Sequence, residues 1–532
     1  MLTKAINKNY LIFILVALSF VLYVRTINYG FVWDDERIHL SANKQLMEGD
    51  IKSFWEQPYS GMYIPVTYST WTIIKNVFTD KNKLSPKVFH LVNVITHSIN
   101  CILLFQLLLI LFKDRTQAFF GSLIFLLHPM QVESVAWISE FRGLYSALFS
   151  FLALLTLFRY LEKEKMFSAF KFPATKHFLF STAFFLLALL AKPSAIVLPF
   201  VAGVLVWCFY RDKFISVLKS LTIWILFSIP IVLITQHSQE NELIFENISI
   251  LQRVLIAGDS LFFYFQNFFI PYPLVACYGF TPEYILNEKI IYFTTAICIS
   301  LFLFLFIKRR AYPILFSSFT IIFICLLPVL GIVPFEYQKH SNVADRYIYF
   351  ATLGFILLVP LFAIYLKKIK YSIYSIGLVF LLYLIVNIKQ TATWKNEFTV
   401  WDNTLSHYQN SSNVYYNRGV EYSKMGKFPE AINDYSHSLL LKNNYLDALF
   451  NRANAYENVG DINSAFIDYN TYLTIDSTDG SVYYKRAYLF YKSGNIVAAM
   501  NDVRKSEQLN FPVSLKFKKT LQKEIVKFRE KK

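Results

Sequence analysis

Cysteine is scarce and scattered. The chain holds five in 532 residues: Cys101, Cys208, Cys277, Cys298 and Cys325. No two form a Cys-x-x-Cys spacing, and all but Cys277 fall inside apolar segments. That argues against both a disulfide framework and a thiolate-built zinc site. Charge is scarce as well. Only 17% of residues are charged, 55% are hydrophobic and mean hydropathy is +0.40. So little charge excludes an ordinary soluble protein and fits a chain that crosses a membrane many times. Acidic residues are the rarer sign, 36 against 52 Lys and Arg, for a net charge of +16. Nucleic acid is not the partner this implies, because the basic residues form short clusters between apolar segments, where they set topology. No small-residue cleavage site follows the first apolar run. With Lys4 and Lys8 ahead of it, the run reads as a retained first span. Glycine is infrequent (16 residues) while Lys, Asn, Ile and Phe abound, which suits an AT-rich and bacterial source.

What is present organises the chain. Apolar segments are expected at 10–23, 88–111, 117–137, 144–160, 177–191, 193–210, 217–235, 290–307, 312–333, 347–366 and 371–386. With these eleven spans, the basic clusters at Lys113/Arg115, Lys163 to Lys176, Arg211/Lys213/Lys219, Lys308 to Arg310 and Lys367/Lys368/Lys370 share the N-terminal side. The positive-inside rule makes that side cytoplasmic. Segment 251–270 is apolar but carries Arg253, Asp259 and Gln266. A buried charge costs about 2.5–3.5 kcal/mol on insertion scales, so this segment reads as interfacial or re-entrant. The odd count puts Asp34, Asp35 and everything after Val386 on the non-cytoplasmic side. That is the periplasm for a bacterial inner-membrane protein, or the ER lumen in a eukaryote, where Asn247 and Asn410 would be sequons. The first outer loop is rich in aromatics (Trp33, Phe54, Trp55, Tyr59, Tyr63, Tyr68, Trp71), which suits an interface belt or a groove for lipid or sugar.

Polarity rises after Trp394, and from Asn413 the chain repeats with a period of 34. Arg418, Arg452 and Arg486 align, as do Gly426, Gly460 and Gly494, Ala431, Ala465 and Ala499, and Asp434, Asp468 and Asp502. This is the tetratricopeptide pattern in three copies. The expected organisation is therefore a membrane domain over 1–390, a linker over 391–412, an α-solenoid of repeats over 413–511 and a basic capping helix or tail over 512–532. The class is all-α. The array offers a surface for a peptide or protein partner, or serves as a stabilising lid.

Candidate chemistry gathers at the outer face. Asp34 and Asp35 lie just past the first span. Adjacent carboxylates near a low-dielectric region cannot both ionise freely, so one is available as a general base; the plain alternative is an acidic turn or helix cap. His90, Asn93, His97 and Asn100 share one helical face, as a wall of a polar site or as inter-helix hydrogen bonds. A divalent cation between His90, His97 and Asp34 or Asp35 is conceivable, but two His seven apart are a weak ligand pattern, so no cofactor is expected. Pro129 breaks the third span at His128, with Glu133, Glu140 and Arg142 beyond it. Glu133 is a functional candidate or an ion-pair partner of Arg142. Lys192, between Ala191 and Pro193, suits an anionic lipid head group or snorkels to water. Asp345, Arg346 and Tyr347 open the tenth span, and Arg346 offers a fork for phosphate or a local ion pair.

These stretches, the Asp34-Asp35 loop, His128-Pro129 with Glu133, Ala191-Lys192-Pro193 and Ala344-Asp345-Arg346-Tyr347 followed by repeats, resemble the GT-C glycosyltransferases. More narrowly, they resemble the transmembrane and tetratricopeptide-repeat protein O-mannosyltransferases and their bacterial relatives. The resemblance implies transfer of a sugar, mannose or another hexose, from a polyprenyl-phosphate carrier with inversion. Asp34 or Asp35 would then be the base, Asp35 slightly preferred, with Glu133 beside it in catalysis. Arg142, Lys192 and Arg346 would hold the lipid phosphate. His90, Asn93, His97, His128, Asp345 and Tyr347 would shape the acceptor or donor sugar site. The acceptor would be a protein Ser/Thr or a glycan, recruited by the repeats. Two other classes compete: a non-enzymatic scaffold for envelope assembly, and a transporter, which would need ionisable residues at mid-membrane and inverted repeats.

Overall fold

The computed structural model describes residues 7–79, 84–163, 176–239, 248–366 and 372–530. Lys4, the basic stretch 164–175, Asn247, Lys367, Lys368 and Lys370 lie outside them. Among the described residues the elements are helices, with one isolated bridge between Tyr59 and Met62. The chain divides into two compact units, 1–403 and 404–532. The expected linker is partly helical, since Glu397–His407 forms a helix there.

In the first unit, six helices are long and apolar enough to cross a membrane: Lys8–Asn28, Pro86–Phe112, Ile138–Glu162, Arg211–Ser238, Ile290–Ile307 and Tyr374–Thr393. Two bent pairs pass the same test, Arg115–Leu127 with Pro129–Ala136 (57°) and Asp345–Ile356 with Val359–Leu366 (51°). Three shorter apolar helices, Lys176–Ala191, Pro193–Phe209 and Pro313–Val329, occupy the remaining expected segments. Proline explains the breaks. It lacks an N–H and pushes the preceding residue out of the helical region. His128 and Lys192, each before a proline, are accordingly extended (φ −61°, ψ 125° and φ −155°, ψ 120°). Helix reversal can be as tight as two residues. Lys113 ends one helix at φ 54°, and the Asp114 carboxylate caps the next by accepting from Thr116 N and Gln117 N. The charged segment forms the helix Ile250–Phe269, outside the spanning set, and Thr294 Oγ1 donates to Asp259 at 2.8 Å.

The first long loop is a folded cap. Its helices Lys44–Glu48, Ile51–Glu56 and Pro65–Phe78 bury Leu40, Leu46, Phe54, Tyr68 and Trp71 together with Ile138 and Phe141. Phe54, Tyr68 and Trp71 are thus core residues rather than a groove lining, and Phe54 stacks on Tyr68 at 4.7 Å.

The second unit is a row of antiparallel helix pairs: Ser412–Lys424 with Phe428–Leu441, Leu446–Val459 with Ile462–Ile475, and Gly480–Lys492 with Ile496–Gln508. The periodic residues explain the pairing. Gly426, Gly460 and Gly494 take φ of 74°, 85° and 79° at the turns, where a side chain would be strained. Ala431, Ala465 and Ala499 are fully buried at the helix contacts. Each aligned Arg makes a bidentate pair with the Asp sixteen residues on: Arg418 with Asp434 (2.8 and 2.9 Å), Arg452 with Asp468 (2.8 and 2.7 Å) and Arg486 with Asp502 (2.7 and 2.9 Å). Arg452 and Arg486 also reach back to the preceding repeat, at Ser436 Oγ and Asn470 Oδ1. The helix Leu515–Glu530 follows the last pair, burying Leu521 against Ala499, Met500 and Val503.

Candidate active site

Asp34 and Asp35 begin a π-helical turn, Asp35–His39, in which Leu40 N donates to Asp35 O. Trp33, just before it, sits at φ 59°, a left-handed conformation that bulky residues seldom take. Its ring stacks on Trp137 (4.9 Å) and meets Trp401 edge-on (5.1 Å), which holds the turn in place.

The two carboxylates are treated differently. Asp35 is fully buried. Its Oδ1 shares hydrogen bonds with Ser139 N (2.9 Å) and Ser139 Oγ (2.5 Å), and its Oδ2 accepts from Val32 N (3.0 Å). Burial, then the adjacent Asp34 charge, pushes its pKa up to about 8. Asp34 is 16% exposed and pairs through Oδ2 with His39 Nε2 at 3.2 Å. Its Oδ1 accepts no hydrogen bond among the described residues. Burial is the largest influence and would raise Asp34, but His39 and Arg142 outweigh it and hold the carboxyl below its ordinary value. Asp34 is thus held toward its charged form with one oxygen unpartnered, while Asp35 is pushed toward its protonated form with both oxygens already hydrogen-bonded. The sequence slightly prefers Asp35 as the base; the carboxylate with an unpartnered oxygen is Asp34.

Around them lies a charge network centred on Glu140, which is 1% exposed. It takes Arg142 Nε at 3.1 Å and Lys192 Nζ at 2.9 Å, with Arg346 Nε at 3.8 Å. Glu133 is taken up by Arg346, through a guanidinium contact at 2.6 Å and the backbone N–H at 2.9 Å. The sequence alternative of Glu133 with Arg142 is not formed, and a Glu133 held on both oxygens is a structural partner rather than a free acid or base. The Arg346 guanidinium is ringed by Tyr337 (4.1 Å), Tyr347 (4.8 Å), Trp137 (5.3 Å) and Trp33 (5.8 Å). A cleft of about 90 Å³ adjoins this network. Lys192, Arg346 and Tyr347 line it together with the apolar Val197, Leu198, Val329 and Phe350.

The other sequence candidates lie elsewhere or serve packing. Asn93 Nδ2 donates to Val135 O and Trp137 O, fixing the backbone that carries Ser139. His97 Nδ1 and Asn100 Nδ2 both meet Tyr349 Oη, and His90 Nε2 meets Gly30 O at 3.4 Å. The polar stripe thus makes inter-helix and loop contacts, while His90 Nδ1 and Asn100 Oδ1 are buried without a hydrogen-bond partner. His128 stacks on Phe268 (4.4 Å) and bonds Phe268 O at 2.8 Å, away from the cleft. Asp345 Oδ1 accepts from Tyr278 Oη at 2.8 Å. Among the described residues no group of three or more His, Cys, Asp or Glu could hold a metal ion, and His90 and His97 do not converge on Asp34. The sequence assigns no role to His39 or Ser139, and none to Glu140 beyond its reach to the surface. Only Glu140 had a signal, as an intramembrane carboxylate between two cationic stretches.

Fold and site together define an all-α membrane protein with C-terminal tetratricopeptide repeats. Two tetratricopeptide-repeat models match residues 412–445 and 446–479. The chain is also similar to a protein O-mannosyl-transferase, Tmtc1 of Drosophila melanogaster. Identity is 31% over 134 residues, 23% of this chain and 15% of the relative's length. The resemblance to the transmembrane and tetratricopeptide-repeat O-mannosyltransferases noted from the motifs is found again in this match.

Proposed function

We propose that this protein is an inverting glycosyltransferase of GT-C type that moves a hexose from a polyprenyl phosphate to a Ser/Thr hydroxyl of a protein, or to a glycan. One observation carries the reading: a buried carboxylate with an unpartnered oxygen, Asp34, stands one ion-pair network away from a cleft lined by both cationic and apolar side chains. A lipid-linked phosphate needs that combination.

In this reading the acceptor hydroxyl donates its proton to Asp34 Oδ1 as its oxygen attacks the anomeric carbon. The bond from that carbon to the phosphate oxygen breaks, and the polyprenyl phosphate leaves as an anion. Lys192, with Arg142 and Arg346 behind it, offsets the charge that develops on the leaving phosphate. Asp35 positions the turn through Ser139, and Glu133 and Glu140 hold the cations in place. Eleven crossings would leave the site and the repeats on the non-cytoplasmic side, where the repeats recruit the acceptor. That a similar chain is named an O-mannosyl-transferase supports mannose as the sugar.

The test is mass spectrometry of glycoproteins and lipid-linked sugars from a deletion strain. Loss of a hexose from Ser/Thr sites or a glycan, with accumulation of the lipid-linked donor, is expected. Unchanged glycosylation with loss of an envelope complex would overturn the enzymatic reading in favour of a scaffold.

A further inference from the structure

A hydrogen-bonded chain runs from Asp34 into the cap. His39 Nε2 lies 3.2 Å from Asp34 Oδ2, and His39 Nδ1 lies 3.0 Å from Tyr68 Oη. His39 and Tyr68 are 2% and 1% exposed. The imidazole is walled by the rings of Tyr68 (6.2 Å) and Trp71 (6.1 Å), and Tyr68 is itself clamped on Phe54. The turn produces the contact. A π-helical turn brings residue i+5 back over residue i, where an ordinary α-helical turn would bring Ile38 instead. A packed ring at both nitrogens has one orientation available.

We propose that His39, oriented by Tyr68, is a positioning residue for the base: it directs Asp34 so that Oδ1 faces the acceptor hydroxyl. This rests on the glycosyltransferase reading given above. The imidazole thus bridges the Asp34 carboxylate and the Tyr68 hydroxyl, which burial keeps protonated. The other charged groups facing Asp34 are Asp35 on its own turn and Arg142 on the helix Phe141–Lys163. With His39 gone, burial opposes ionisation, and Arg142 and the Ser139 side chain still favour it.

The test uses the full chain in lipid nanodiscs, with His39→Phe, His39→Gln, Tyr68→Phe and Asp34→Asn. The Asp34 carboxyl is followed against pH by infrared difference between the wild type and Asp34→Asn, a readout that needs no substrate. In His39→Phe the titration midpoint is expected to rise. In transfer assays with mannosyl undecaprenyl phosphate and a threonine peptide, kcat should fall about 10- to 100-fold with donor KM unchanged, and the acid limb of the rate profile should move to higher pH. His39→Gln, which keeps a donor, should retain more activity, and Tyr68→Phe should shift the limb less. A His39→Phe variant whose midpoint and acid limb both stay put overturns the proposal, whether or not kcat falls. Wild-type transfer by Asp34→Asn would instead overturn the glycosyltransferase mechanism itself.

Discussion

Both units bury arginine against carboxylate, and they do so in opposite ways. In the repeats each Arg has its own Asp, in the same bidentate geometry three times over. In the membrane unit, Arg142, Lys192 and Arg346 share one glutamate, Glu140, Arg346 also takes Glu133, and one oxygen of Asp34 is buried without a hydrogen-bond partner. A pair matched one to one satisfies itself and does the same job in every copy. A network with a shared partner and an unsatisfied acceptor can take in another group, as the proposed transfer site would require. The distinction separates structural ion pairs from chemical ones without reference to sequence position.

Substitutions in the two units should therefore behave differently. The largest effect is expected from Asp34→Asn, a loss of about a thousandfold in transfer rate with donor binding retained, measured on purified protein. Next is Glu133→Gln. Removing one side of a buried pair leaves Arg346 short of a partner, and thermal unfolding in detergent should report a loss of about 3–5 kcal/mol. Gly143→Ala should follow. Its added carbon would lie 2.7 Å from Glu140 Oε2 and 3.3 Å from Lys192 Nζ, so the Lys192–Glu140 pair must shift. Donor KM should rise about tenfold with little change in fold, as steady-state kinetics would show. The smallest effect is expected from Asp468→Asn, which should soften the repeats by about 1–2 kcal/mol, seen as faster amide exchange over 446–479, and leave transfer to a short peptide untouched.

How much of this was legible in the sequence follows from the physics of each part. The repeats were fully readable, because one residue pattern recurs every 34 positions and each copy contacts its neighbours alike. Apolar runs and prolines marked the membrane helices and both extended breaks, at His128 and Lys192. The site was half legible. Asp34, Lys192 and Arg346 announce themselves as charges beside apolar runs. The choice between Asp34 and Asp35 did not, because Ser139, which occupies Asp35, is 104 residues away. His39 was hidden because a spacing of five is neither a helix-face nor a strand-face interval. The stripe of His90, Asn93, His97 and Asn100 was correctly placed on one face, but sequence does not say whether that face meets a cleft or carbonyl groups. Here it meets Gly30, Val135, Trp137, Leu144 and the Tyr349 hydroxyl.

The most direct measurement sets the two units against each other in one assay. Initial rates of hexose transfer from a polyprenyl phosphate to a short Ser/Thr peptide are compared for Asp34→Asn and Asp468→Asn, each in nanodiscs and each checked for folding. A fall of about a thousandfold in the first and a wild-type rate in the second is the predicted result. Equal rates in the two variants would contradict the assignment of Asp34 as the base.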